Sequence, residues 1–217
     1  MTGSVRIDVG DAVLEGDLQF AEGDGLVMFV HGSGSSRFSP RNRFVASQLR
    51  KGGLSTLLTD LLTPEEEKID MLTATRRFDI PFLAGRVSGM LDWVRSGSRT
   101  GSLPVGLFGS STGAAAAIVA AAERPGDVSA LVSRGGRVDL AAGHLPRLKA
   151  PTLLIVGEND PAVLGFNLRA LERISAVKRL EVIMGASHLF EESGALEKVA
   201  TLAARWFSEN LRRANGL

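Results

Sequence analysis

No cysteine occurs anywhere in the sequence. A disulfide framework, a thiolate metal site and a cysteine nucleophile are therefore excluded. An excess of charge of either sign is missing too. Lys and Arg number 25 against 24 Asp and Glu, a formal net charge of +1, so no strong field draws the chain to nucleic acid or to an anionic membrane. No apolar run approaches the ~20 residues that a membrane-spanning helix needs. The opening stretch Met1-Thr-Gly-Ser-Val-Arg-Ile-Asp-Val9 has charges where a secretory signal has its apolar core, and a cytoplasmic protein is expected. Neither an internal repeat nor a low-complexity linker is found.

What is present is a chain of 217 residues, 44% of them hydrophobic. That is enough to bury one sizeable core, and a single domain over residues 1–217 is expected. Val5, Ile7 and Val9 alternate with polar residues, as do Leu14, Leu18 and Phe20 beyond Gly10-Asp11, so the chain opens with an antiparallel hairpin. From there the pattern changes. Leu26 to Val30, Leu54 to Leu58, Leu103 to Phe108, Val128 to Val132, Thr152 to Val156 and Leu180 to Met184 are short, nearly continuous apolar runs, as in parallel strands covered on both faces. Helical stretches separate most of them. Ser39-Pro40 caps one that ends at Gly52-Gly53, and Leu83, Val87, Met90, Leu91 and Val94 form a helical face that Gly97 closes. Leu164, Leu168, Leu171 and Ile174 predict a third face, and Leu196, Val199, Ala203, Trp206 and Phe207 a last one. Asp60 to Phe78 reads as a solvated surface loop. Strands alternating with helices imply an open α/β sheet whose ligands bind at the carboxyl ends of the strands.

One stretch organises the rest. Val105 to Phe108 reads as a buried strand that turns at Gly109-Ser-Ser-Thr-Gly113 into an Ala-rich helix, Ala114 to Ala122. Gly-x-Ser-x-Gly in that context puts Ser111 at the apex of a tight strand-to-helix turn, exposed beside the positive end of the helix. The competing reading is a turn serine without chemistry. A serine hydroxyl needs a base to take its proton and a third group to hold that base, and the chain offers only three histidines. His188 follows the last predicted strand, in Gly185-Ala-Ser-His-Leu-Phe190. His31 ends an earlier strand, where it shapes a loop, and His144 lies in the surface connection Gly143-His-Leu-Pro146. For the acid, Gly157-Glu-Asn-Asp-Pro161 follows a strand. Asp160 is preferred, Glu158 is the substitute, and a helix cap is the plainer role for Asp160.

The oxyanion of a tetrahedral intermediate needs two fixed donors. The Thr112 amide supplies one, and the Ser33 amide, in His31-Gly-Ser-Gly-Ser-Ser36, is assigned as the second. That loop is not a phosphate cradle of the nucleotide-binding type. Arg37 stands where Gly-x-Gly-x-x-Gly requires glycine, and no Gly-Lys-Ser/Thr follows.

Together HGSGSS, GSSTG, GENDP and SHLF resemble the α/β-hydrolase superfamily, and the short layout is similar to its dienelactone-hydrolase-like branch over nearly the whole chain. Ser111, Asp160 and His188 occur in the nucleophile, acid, base order of that superfamily. The resemblance implies a mostly parallel eight-stranded sheet with helices on both faces and hydrolysis of esters or related acyl bonds through an acyl-enzyme, with no cofactor and no metal. Dienelactone hydrolases proper carry cysteine at the elbow, where this chain has Ser111, so dienelactone itself is not the expected substrate. Between Ser133 and Thr152 there is room for a loop or short helix but no cap domain, which predicts an open, shallow site for small or flexible esters. Arg134 and Arg137 in that connection, with Arg37, Arg41 and Arg43 after the oxyanion loop, are placed to pair with a carboxylate or phosphate of the substrate. Solvated or structural arginines are the alternative. Thioesterase or perhydrolase activity on the same trio, and a non-catalytic small-molecule or partner binder, are the competing functions.

Overall fold

The computed structural model describes residues 2–211, so Met1 and residues 212–217 of the expected domain lie outside it. Eight strands form one sheet: β1 (Thr2–Asp8), β2 (Val13–Gln19), β3 (Leu26–Val30), β4 (Ser55–Thr59), β5 (Val105–Ser110), β6 (Ala130–Arg134), β7 (Thr152–Gly157) and β8 (Lys178–Ile183). Their spatial order is β1-β2-β4-β3-β5-β6-β7-β8. The hairpin β1–β2 and the β2–β4 pair are antiparallel, and every later pairing is parallel. The helices are α1 (Pro40–Lys51), α2 (Pro64–Thr73), α3 (Ile80–Ser96), α4 (Thr112–Glu123), α5 (Pro161–Arg173) and α6 (Ala195–Asn210).

Strands β3 to β7 are buried at every residue, because helices cover both faces of the sheet. Met28, Leu57, Leu107 and Leu131 pack against α3 and α4. Val27, Phe29, Phe108 and Val132 pack on the opposite face against α1 and α6, where Val45, Leu49, Val199 and Phe207 are buried. This alternation along each strand sends successive side chains to opposite layers. Between β6 and β7 lie only two short 3-10 turns, Val138–Ala141 and Leu145–Arg147, so among the described residues no cap domain is inserted there.

Three expectations need correction. Strand β8 is not covered on both faces: Lys178 and Arg179 are exposed at an edge that charged side chains keep from pairing further. The buried stripe of α5 is Val163, Asn167 and Ala170, continued by Ile174, while Leu168 is 49% exposed. Asn167 earns its place by donating from Nδ2 to the carbonyls of Gly136 and Val163. Finally, the connection from Asp60 to Phe78 contains α2. Thr63 Oγ1 accepts from the Glu66 amide at 3.2 Å and the Glu66 carboxylate accepts from the Thr63 amide at 2.9 Å. Pro64 opens the helix, and Glu65, Glu66 and Glu67 meet its positive end. Among the described residues no helix is long and apolar enough to cross a membrane.

Candidate active site

Ser111 has φ 51° and ψ −122°, a backbone conformation that an L-residue with a side chain rarely adopts and that costs about 1–3 kcal/mol. Three neighbours hold it there. Its amide donates to the Arg134 carbonyl at 3.1 Å, and its own carbonyl accepts from the amides of Ala114 and Arg137. The two glycines of Gly-x-Ser-x-Gly are required by close approach. A Cβ on Gly109 would stand 2.5 Å from the Ala114 Cα, and one on Gly113 would stand 2.3 Å from the carbonyl oxygens of Val30 and His31. The turn is thus wedged between β3 and its own helix, which leaves the Ser111 side chain half-exposed at the carboxyl edge of the sheet.

Asp160 and His188, the expected acid and base, meet across 28 residues. His188 Nδ1 lies 2.6 Å from Asp160 Oδ2. The carboxylate accepts, so Nδ1 carries the proton and Nε2 is left as an acceptor. Asp160 stands at the N-terminus of α5 yet makes no capping bond with its side chain; its Oδ2 is given to the histidine. Glu158, the substitute acid, instead accepts from the Gly185 amide at 2.8 Å. The two loops lock together because the Asn159 amide donates to the Ala186 carbonyl and Asn159 Nδ2 to that of Gly185. Here Gly157 matters, since a Cβ there would meet the Ala186 carbonyl oxygen at 2.3 Å.

No hydrogen bond links the Ser111 hydroxyl to His188 among the described residues. What joins their neighbourhoods is the turn Arg134-Gly-Gly-Arg137. Its Arg134 carbonyl holds the Ser111 amide, and Gly135, at φ +54°, lies under the imidazole, where an added Cβ would contact Cε1 and Nδ1 at 3.4 Å. Catalytic hydrogen bonds of this kind are commonly long or unformed without substrate, and a serine hydroxyl is free to rotate. Gly135 is a site residue that sequence reasoning missed; Arg-Gly-Gly-Arg after a strand was its only signal.

The expected oxyanion donors differ in state. Thr112, buried at the head of α4, lies among the first amides, which have no partner within the helix. The Ser33 amide is engaged, donating to Thr112 Oγ1 at 2.8 Å, so it meets an oxyanion only if that hydroxyl yields. The loop carrying Ser33 is pinned from behind. His31 Nδ1 donates to the Gly32 carbonyl at 2.9 Å and Nε2 accepts from the Leu61 amide at 3.2 Å, which fixes a neutral imidazole, and burial pushes its pKa down. Arg37 binds Asp60 and Glu15. His31 is therefore a loop brace, as expected, and among the described residues the His144 side chain reaches only Glu123, at 3.4 Å on the surface.

Of the two arginines expected at the substrate, Arg137 is already met. It forms a two-pronged pair with Asp139, at 2.9 and 2.8 Å, and its guanidinium lies over the Phe166 ring. Arg134 is buried and makes no ion pair with a described residue.

A cavity of about 180 Å³ adjoins the oxyanion loop at Gly32 and Ser33, with Leu61, Leu62, Met71 and Leu83 among its walls. Neither Ser111 nor His188 lines it. Its size is close to the ~150 Å³ of an engineered apolar cavity that admits benzene, so it suits a small substituent. Met71 belongs to α2, which makes that helix one wall of the cavity.

The sequence is 55% identical to dienelactone hydrolase from Anabaena variabilis, and the two structures agree with a TM-score of 0.96 over 98% of this chain and 99% of that one. An esterase from Pyrococcus furiosus, 17% identical, shares the fold with a TM-score of 0.79 over 98% of this chain and 92% of its own. Two Mycobacterium tuberculosis proteins, from two strains and provisionally named phosphoribosyl transferases, are each 50% identical over 208 residues, 95% of this chain. The match covers 46% of each of them, so the chain spans about half the length of these curated relatives. No protein-family model matches the chain.

Proposed function

The chain belongs to the dienelactone-hydrolase family of the α/β-hydrolase fold, and from that premise we propose that it is a serine hydrolase cleaving small carboxylic esters through an acyl-enzyme. One observation supports the assignment of the nucleophile: of the three non-glycine residues with positive φ among the described residues, Ala74, Ser111 and Phe190, it is Ser111 that stands at the junction of the central strand and its helix, and strain of this kind persists where it serves a site.

In this reading His188 Nε2 takes the Ser111 hydroxyl proton as Oγ attacks the ester carbonyl carbon. Asp160 holds the Nδ1–H tautomer and stabilises the imidazolium. The Thr112 amide receives the developing oxyanion first. The Ser33 amide joins once the Thr112 hydroxyl releases it. The imidazolium then protonates the leaving alcohol, and the same nitrogen activates the water that frees the acid. The small cavity beside Ser33 receives the acyl or alcohol substituent, and the absence of a cap domain leaves the entrance open. The transferase name of the curated relatives we assign to the more than half of those proteins that lies beyond the match.

The test is active-site labelling with a fluorophosphonate, followed by peptide mass spectrometry. Modification at Ser111 that vanishes in His188→Ala, with Ser111→Ala reducing p-nitrophenyl acetate turnover by about a thousandfold or more, is the expected result. Folded protein that takes up no label is instead a small-molecule or partner binder. A panel that adds thioesters, and peroxide as acyl acceptor, separates esterase from thioesterase and perhydrolase on the same trio.

A further inference from the structure

Two arginines are buried among the described residues, Arg86 and Arg134. Only one of them is ion-paired. Arg86, 3% exposed, is held by Glu66 at 2.7 Å and Asp11 at 3.3 Å. Arg134, 8% exposed, makes no ion pair and no side-chain hydrogen bond with any described residue, and its Nη1 is sealed from solvent without an acceptor. The charge that acts on it is another cation, Arg41. Burial first and Arg41 second push Arg134 down to about 10. A buried guanidinium without an acceptor is strongly unfavourable, and replacing such a group with an apolar one ordinarily stabilises a fold.

Its position gives that cost a purpose. Ala130 and Val132 point to the layer of α1 and α6, and Arg134, two residues further along β6, points the same way. That layer includes α1, whose first turn carries Arg41, near enough for the two charges to act on each other. The backbone of Arg134 holds Ser111, and the loop beyond His188 closes the other side, where Glu191 binds Arg41 Nη1 at 3.1 Å. Glu191 is 63% exposed, so water largely screens the negative charge it offers. Arg41 Nε, too, is buried without a partner.

We propose that Arg134 and Arg41 form a phosphate subsite beside the nucleophile, so that the hydrolase takes esters that also carry a phosphate monoester. This rests on the serine-hydrolase reading for the word ester, but not for the binding. Two guanidiniums that act on each other electrostatically decide between the anions. A carboxylate has one charge and two oxygens, and it satisfies one fork. A phosphate monoester brings about −1.5 to −2 charges and three acceptor oxygens, which serve the Arg134 fork and Arg41 together.

Inorganic phosphate is the probe, and the melting temperature is the readout because it requires no turnover. In wild type and in Ser111→Ala, phosphate at ten times its dissociation constant raises the melting temperature by about 4 °C over sodium chloride of equal ionic strength. Arg134→Met melts no lower than wild type without phosphate and loses the response. Arg41→Gln, altered at a side chain that is one-third exposed, weakens phosphate binding about tenfold and carries the test should Arg134→Met not fold. A wild type that answers phosphate no better than chloride, an Arg41→Gln response equal to wild type, or stronger stabilisation by glutarate than by phosphate would each overturn the proposal. Phosphate binding retained by a Ser111→Ala variant that still hydrolyses esters would leave the subsite standing and remove only the nucleophile assignment.

Discussion

Asp160 shows how one side chain sets the state of the next. Its carboxylate gives up the helix-cap role that its place before Pro161 suggests and accepts the His188 Nδ1–H at 2.6 Å. Asp160→Asn keeps the size but offers the imidazole a donor as readily as an acceptor, so the productive tautomer is lost. The expected outcome is a fall in kcat of about 10⁴ with little change in melting temperature, read from steady-state ester hydrolysis beside circular dichroism. A loss under tenfold would mean that the Asp160 contact is structural. At this scale Ser111, Asp160 and His188 were legible because each follows an apolar run that had to be a strand. The different fates of Arg134 and Arg137 were not. Both sit in one Arg-Gly-Gly-Arg turn, and only the fold shows that Asp139 takes Arg137 while Arg134 is carried inward. The engagement of the Ser33 amide by Thr112 Oγ1 was equally hidden, since 79 residues separate them.

Helix α2 is an element that its composition disguises. Its sequence Pro-Glu-Glu-Glu-Lys-Ile-Asp-Met-Leu-Thr has no apolar stripe, and Ile69, Met71 and Leu72 are all more than 60% exposed, so periodicity points to a loop. The signal that was present is the spacing of Thr63 and Glu66, a reciprocal cap. Polar contacts do the rest: Arg77 binds the buried Asp70, and Arg86 binds Glu66. Because α2 has little apolar burial to hold it, the cap carries an unusual share of its stability. Thr63→Ala is expected to cost the helix about 1 kcal/mol, seen as roughly fivefold faster hydrogen exchange of amides 64–73 with no change in the α3 amides. Equal exchange in both proteins would show that the ion pairs alone hold it. The face of α5 was misread for the converse reason. Leucines mark a stripe by composition, but the fold buries Asn167 in their stead because Gly136 and Val163 present carbonyls there.

In the whole molecule, the strand order puts β3 and β5 side by side, so the Ser33 loop and the Ser111 turn emerge together. His31 ties that centre to the loop after β4. Its imidazole is neutral, donating to Gly32 and accepting from Leu61, and burial holds its pKa below the ordinary 6.5. Protonation would cost the Leu61 bond. For a base whose folded pKa is depressed, the unfolded chain binds more protons as the medium is acidified. The contribution is therefore complete above about pH 6.5 and is lost as pH falls through that value toward the folded pKa. The urea midpoint of the wild type is expected to drop between pH 7 and pH 5.5, and to drop less in His31→Asn. Parallel titrations of the two proteins would refute this.

The apolar runs, the hairpin alternation and the order serine, acid, histidine are local or sequential properties, and the sequence alone determined from them the α/β architecture and singled out Ser111, Asp160 and His188 as the proposed trio. Tertiary structure alone decided which of several similar side chains are partnered. Asp160 rather than Glu158 reaches His188, Arg137 is neutralised while Arg134 is not, and the Ser33 amide is already in use. The physical reason is that periodicity follows from backbone geometry over a few residues, whereas a hydrogen bond or an unpaired charge depends on ångström distances between chain segments that only the completed sheet brings together.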